Sequence, residues 1–147
     1  MTRYYGIDEA NAALPEVERI LIALRDQREE LINLRDRVVA ASPPDDETPT
    51  AGAAEQIRLL RLGMQGLIDQ MQAGVARLVE MDITLRDISS GLIDFPALVT
   101  GRPLWLCYRL GETAVENWHP HDEGFDTRRP LAELPTGLGR SSGTPAA

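Results

Sequence analysis

An apolar heptad repeat in the middle of the chain is the feature that most constrains the fold. Ten positions lie alternately three and four residues apart, and nine of them carry apolar side chains, Gly74 being the exception. The ten are Ile57, Leu60, Met64, Leu67, Met71, Gly74, Leu78, Met81, Leu85 and Ile88. This spacing predicts a long, coiled-coil-like helix from about Ala53 to Ser90. At 1.5 Å per residue such a helix is roughly 55 Å long.

A second amphipathic stretch precedes this helix. Gly6 suits its N-cap, and Asp8 and Glu9 then lie in the first turn, where the helix dipole favours acidic residues. Pro15 removes a backbone donor, which predicts either a short helix ending near Ala13 and a new one after it, or one kinked helix. Apolar residues continue along one stripe at Val17, Leu21, Leu24, Leu31 and Val38.

The segment between the two helices, residues 42–52, contains three prolines and three acidic residues and predicts a flexible linker. The helices should therefore pack as a long antiparallel α-hairpin. Ile68, Val75 and Val79 lie beside the heptad seam and need a cover that two helices alone do not supply. That need, and the length of the second helix, predict a homodimer that forms a four-helix arrangement.

The stretch 102–120 has the alternation of a β-hairpin, with Gly111 and Glu112 as a two-residue turn. Gly91 should end the long helix, and Pro96 should prevent it from resuming. In the predicted hairpin register, the face toward the helices carries Leu104, Leu106, Tyr108, Leu110, Val115 and His119. The outer face carries Trp105, Cys107, Arg109, Glu116 and Trp118.

These elements predict a mainly α fold with a small β-hairpin. A long antiparallel α-hairpin, coiled-coil-like, is capped by a C-terminal two-stranded β-hairpin. Residues 1–133 form one domain in this prediction, and residues 134–147, rich in Gly, Ser, Thr and Pro, form a disordered tail.

Composition limits the classes of function. The net charge is −8 and acidic residues interleave with the arginines, which argues against a nucleic-acid partner. A single Cys cannot form an internal disulfide and suits a reducing compartment. We see no secretory signal and no apolar run long enough to span a membrane. The chain is therefore expected to be cytoplasmic, with no membrane partner.

Four stretches resemble the bacterial family labelled domain of unknown function 2203. They are "DEANAALPEV", "LRDISSGLIDFPALVTGR", "LCYRLGE" and "WHPHDEGFDTRRPL", and they occur in the family's order over about residues 5–131. Tyr108 replaces the usual Trp of the third stretch, and His121 departs from the family pattern. The resemblance implies no activity, substrate or cofactor, and it marks only which polar residues belong to the family's pattern.

Several side chains of metal-ligand type lie in the C-terminal third, namely Asp94, Cys107, His119, His121 and Asp122. Their spacing matches no metal-binding motif, and the predicted hairpin register puts Cys107 and His119 on opposite faces. A three-residue turn, Leu110 to Glu112, would put the two on one face, but it places Gly111 in the middle instead of at the final left-handed position, so the two-residue turn is favoured. We therefore expect no metal and no cofactor. If a metal does bind, its ligands should be His119, Asp122 and Asp94.

The sequence favours a non-enzymatic interaction or scaffold module, homodimeric and with an unidentified protein partner bound to the Trp/Arg face of the hairpin. The residues expected to contact a partner or ligand are Asp94, Trp105, Arg109, Glu112, Trp118, His119 and Asp122. No catalytic residue is assigned. The alternative is a protein that binds a metal or small ligand, with or without enzymatic activity, and has its site near His119 and Asp122.

Overall fold

Two long helices and a five-stranded antiparallel sheet make up residues 2–135, the part of the chain that the computed structural model describes. The strands follow one another across the sheet in chain order. The elements are α1 (Ile7–Ala41), α2 (Ala51–Glu80), β1 (Thr84–Asp87), β2 (Leu92–Val99), β3 (Arg102–Arg109), β4 (Asn117–Pro120) and β5 (Arg129–Pro130), with 3₁₀ turns at Phe125–Thr127 and Leu131–Glu133.

The five-stranded sheet corrects the predicted fold class. We expected a mainly α protein with a two-stranded cap, but the fold is mixed α/β. Residues 84–99, assigned to the end of the long helix and to a loop, form β1 and β2. The helical hairpin itself is confirmed, with α2 beginning at Ala51 and ending at Glu80.

A left-handed residue ends α2 ten residues earlier than the heptad pattern predicts. Asp82 has φ +59°. Its N–H donates to the carbonyl of Val79, and the N–H of Ile83 donates to the carbonyl of Leu78. This is the Schellman arrangement, which normally uses Gly at the left-handed position. Since Asp occupies that position, the sequence contains no obvious stop signal.

The heptad pattern predicted too long a helix because a helical and a strand periodicity coincide in this part of the sequence. Leu85 satisfies the heptad spacing, but Met81, Ile83 and Leu85 also alternate by two, as strand residues do. The predicted long helix would place Asp82 and Arg86 four residues apart as an ion pair. That pair does not form, since Arg86 lies on β1 and pairs with Asp94.

Helix α1 runs unbroken through Pro15, so of the two predicted alternatives the short helix ending near Ala13 is wrong and the single helix is observed. Gly6 is its N-cap, as predicted. The side-chain carbonyl of Asn11 accepts a hydrogen bond from the N–H of Val115 at 2.8 Å, which ties the first turns of the helix to the loop between β3 and β4.

One face of the sheet, the inner face, packs on the N-terminal half of α1 and the end of α2. Tyr5 connects the layers: its N–H donates to the carbonyl of Pro96, its hydroxyl donates to the carbonyl of Met81, and its ring meets Phe95 edge-on. The largest fully buried side chains of this core are Tyr5, Tyr108, Phe95, Leu21, Leu24, Leu78, Ile93, Leu106, Val17, Val99 and Val115.

The rest of the α-hairpin extends beyond the sheet. There the helices meet along Leu34, Ile57 and Leu60, which are buried, while Leu59 and Leu62 are more than half exposed. Within residues 2–135, neither helix has an apolar stretch of the length and low charge needed to cross a membrane. Most of the tail predicted to be disordered, residues 136–147, lies outside the described residues.

Gly91 provides a test of the β1–β2 connection. It has φ +66°, and a Cβ there would lie 2.5 Å from the Cβ of Leu110. We expect Gly91→Ala to lower the free energy of unfolding by about 2–4 kcal/mol, from backbone strain and steric overlap together. Urea unfolding would measure this. Gly101→Ala is the matched control, since Gly101 has φ +78° but open space around it, and it should cost only about 1–2 kcal/mol. Equal losses would contradict the proposed clash with Leu110.

Candidate metal centre

Three adjacent strands present a carboxylate, a thiol and an imidazole on the face of the sheet turned away from the helices, the outer face. Asp94 on β2 lies directly opposite Cys107 on β3. His119 on β4 lies opposite Trp105, two residues from Cys107 along β3. Directly paired residues, and residues two apart on a strand, share a face. The strand pairing alone therefore brings the three side chains together.

The three side chains meet at short range. One ligand atom from each of Asp94, Cys107 and His119 can be chosen so that all lie within 4.8 Å of one another. Ligands of a tetrahedral zinc ion lie roughly 3.3–3.7 Å apart, given bond lengths of about 2.0–2.3 Å. A contraction of at most about 1.1–1.5 Å between the ligand atoms would therefore suffice to surround an ion.

Backbone contact sets the orientation of the His119 ring. Its Nδ1 lies 3.0 Å from the carbonyl oxygen of Pro120 and donates to that carbonyl when it carries the ring proton. The other nitrogen, Nε2, lies 3.0 Å from Oδ2 of Asp94. A lone pair on Nε2 would then face a carboxylate lone pair unless a positive charge, either a proton or a metal ion, lies between them. Histidine ligands of metals commonly have this arrangement, with the second ring nitrogen donating to a carbonyl.

Asp94 is only 2% exposed and has one oxygen without a partner. Its Oδ2 accepts a hydrogen bond from Nε of Arg86 at 2.8 Å, while Oδ1 is buried and has no hydrogen-bond partner among the described residues. An unsatisfied buried carboxylate oxygen costs free energy. This oxygen is therefore available to bind a cation.

Cys107 is fully buried and free. Burial, reinforced by the negative charge of the Asp94 carboxylate beside it, raises the pKa of its thiol to about 12. Without a cation the thiol is therefore neutral at ordinary pH. A bound metal ion would favour the thiolate and displace the proton.

Residues 121–130, the covering segment, cross the outer face beside these three side chains. The indole N–H of Trp105 donates to the carbonyl of His121 at 3.1 Å, and the two rings stack. A cleft of about 290 Å³ lies between the covering segment and the sheet. Its lining consists of Arg86, Leu92, Asp94, His121, Asp122, Glu123, Gly124 and Phe125. Asp94 thus connects the buried cluster with the surface.

A half-buried ion pair holds the covering segment in place. Arg128 donates to both carboxylate oxygens of Glu112, at 2.9 and 3.0 Å, and the same carboxylate accepts from the N–H of Arg109 at 2.7 Å. The guanidinium groups of Arg109 and Arg128 both contact the ring of Phe125. Bidentate pairs of this kind combine strength with a fixed geometry.

The predicted register of the β3–β4 hairpin is wrong by one residue. Trp105 pairs with His119 instead of Trp118, so His119 points to the outer face with Cys107, and Trp118 points to the core, where it is 5% exposed. The connection is longer than two residues. The chain curls at Gly111, where the N–H of Glu112 donates to the carbonyl of Arg109, and only reaches β4 at Asn117.

The structure places the predicted site residues in different surroundings. Asp94 and His119 are in direct contact, and Asp122 lies on the cleft wall. Trp105 lies at the edge of the covering segment, while Arg109 and Glu112 help to hold that segment. Trp118 belongs to the core, so the outer face carrying both Trp side chains, as we predicted it, does not form.

Sequence reasoning left Cys107 and Arg86 off the list of site residues. In the predicted structure Cys107 is a small buried residue that faces away from His119, and Arg86 pairs with Asp82 along the helix, so neither side chain reaches the site. The alternation of Met81, Ile83 and Leu85 was the one signal that could have placed Arg86 on a strand.

The Glu112–Arg128 pair can be tested by Glu112→Gln. We expect this change to lower the free energy of unfolding by about 1–3 kcal/mol, because it weakens charge-assisted hydrogen bonds to a largely buried guanidinium. Chemical denaturation would measure the loss. Glu55→Gln breaks the exposed ion pair with Arg58 and should leave the midpoint nearly unchanged. If the two variants were equally stable, the pair would not be holding the covering segment.

Comparison with known proteins identifies a family. The family model described as "Uncharacterized conserved protein (DUF2203)" matches residues 3–131. No curated protein and no solved structure shows significant similarity to the chain. The matched range contains both helices, all five strands and the Asp94–Cys107–His119 cluster. The chain therefore belongs to the DUF2203 family.

Proposed function

We propose that this protein binds one divalent transition-metal ion through Asp94, Cys107 and His119, and that zinc fits the site best. The observation that carries the proposal is the buried cluster itself, in which ligand atoms of Asp94, Cys107 and His119 lie within 4.8 Å of one another. Within it, Oδ1 of Asp94 accepts no N–H or O–H donor from residues 2–135. Mixed nitrogen, oxygen and sulfur donors suit tetrahedral zinc. Three protein ligands would leave one position open to a water molecule or another ligand.

This proposal reverses the expectation of no metal, which depended on the absence of a metal-binding motif and on the wrong hairpin register. Two of the three metal ligands predicted from the sequence, Asp94 and His119, are retained, and Cys107 replaces Asp122 as the third. A ligand thiol needs a reducing compartment, which is the reason to propose a cytoplasmic location. Without metal, a proton between His119 and Asp94 can satisfy the same atoms, so a metal ion must compete with that proton.

Metal binding can be measured with zinc and with cobalt(II) as a spectroscopic probe. We expect about one ion per chain, a sulfur-to-cobalt charge-transfer band from Cys107, and a raised Tm of the wild-type protein with zinc. His119→Gln and Asp94→Asn should weaken binding by more than about 100-fold, and Cys107→Ser should abolish the charge-transfer band.

His121→Gln is the matched control, because His121 lines the cleft but is outside the cluster. It should leave metal affinity unchanged. A wild-type protein that binds no stoichiometric metal, or equal losses in His121→Gln and His119→Gln, would overturn the proposal.

A second candidate function is self-association through the α-hairpin. Val75 and Ile88 belong to an almost wholly apolar groove that runs beside both helices. The groove is lined by Leu31, Ile68, Met71, Gln72, Val75, Ala76 and Ile88. An elongated apolar element fits such a groove, and a second α-hairpin is one, which supports the homodimer that the heptad pattern predicts.

Sedimentation tests self-association directly. We expect the wild-type protein to be a dimer at tens of micromolar and Ile68→Glu to shift it toward monomer, because a charge in the groove must be desolvated on association. Val39→Glu, at an exposed position outside the groove, should remain dimeric. A monomeric wild-type protein at that concentration would rule out this interface.

A further inference from the structure

One part of the Arg86 guanidinium group contacts neighbouring side chains, and its terminal nitrogens are free. Its Nε donates to Asp94 at 2.8 Å, and its guanidinium carbon lies 5.0 Å from the centre of the Trp105 ring. The two terminal nitrogens have no acceptor among residues 2–135, and the side chain lines the cleft beside the metal cluster. Arginine orients its donors in a planar fork that matches the oxygens of carboxylates and phosphates. The two contacts therefore hold the guanidinium group so that its free terminal nitrogens can bind an oxyanion beside the cleft.

The charges favour an anion once a metal ion is bound. A divalent ion with the Asp94 carboxylate and the Cys107 thiolate is neutral overall, and Arg86 then adds one positive charge. Opposing this, Asp122 and Glu123 lie in the cleft wall. Glu123 is within ion-pair distance of Arg129, at 3.7 Å, so Asp122 is the main charge that works against an anion.

We propose that the cleft binds a small oxyanion, a carboxylate or a phosphate, between the free guanidinium nitrogens of Arg86 and the open position of the metal ion held by Asp94, Cys107 and His119. The proposal rests on the metal site proposed above. The cleft volume of about 290 Å³ restricts the ligand to a small molecule. The metal ion would bind one oxygen of the ligand, while Arg86 binds the others.

Cobalt(II)-loaded protein reports on the open position through its visible spectrum. We expect saturable spectral changes with acetate, with inorganic phosphate, or with both; the anion that binds more tightly identifies the chemical class. Arg86→Gln should weaken the response about 10- to 100-fold, the usual range for lost charge-assisted hydrogen bonds. Asp122→Asn should strengthen the response, because it removes the opposing charge. Arg102→Gln, at the exposed start of β3, should leave it unchanged.

Cobalt stoichiometry, measured for each variant, separates the two proposals. A protein that binds cobalt but shows no spectral response to either anion refutes the oxyanion site and leaves the metal site standing. A protein that binds no cobalt refutes both. A response that survives Arg86→Gln undiminished overturns the role of Arg86. A response that appears only in Asp122→Asn overturns the open position, because Asp122 itself then fills it in the wild-type protein.

Discussion

The register of β2, β3 and β4 is the constraint on which the rest of the structure depends. Because strand side chains alternate, a slip of one residue exchanges the two faces of a strand. In the observed register, Phe95, Leu106 and Trp118 lie together on the helices. Burying each such side chain contributes about 1.5–3 kcal/mol, more than the net contribution of about 1 kcal/mol from a typical hydrogen bond. The apolar core, rather than the polar cluster, therefore sets where the three metal-ligand side chains lie.

The outer face then needs its own cover, since a buried carboxylate and imidazole in the middle of a sheet are costly unless they are satisfied. The covering segment supplies that cover through the Glu112–Arg128 pair and the contacts of Phe125. The sheet is thus enclosed by helices on one side and by an irregular segment on the other. Side chains of two stretches, "LCYRLGE" and "WHPHDEGFDTRRPL", form most of this outer layer.

Sequence patterns within single helices and strands predicted the features that depend on one element alone. The two helices, the N-cap at Gly6 and the inner placement of Leu104, Leu106 and Tyr108 all follow from spacing along a single element. The end of α2 could not be predicted, because Asp82 takes the left-handed conformation that sequence rules assign to Gly. The hairpin register could not be predicted either, since a long-range contact between Asn11 and Val115 holds the loop that determines it. The candidate site inherited that error, because its residue types were visible in the sequence but their shared face was not.

The order of residues along the chain determines when the outer layer can form during synthesis of the protein. Asp94, Cys107 and His119 all precede the covering segment, so a ribosome delivers the complete ligand set before residues 121–130 emerge. Helices and sheet can pack while the outer face is still open to solvent. The nascent protein therefore passes through a stage at which the ligand set is complete and uncovered, and arrival of Arg128 at Glu112 closes that stage.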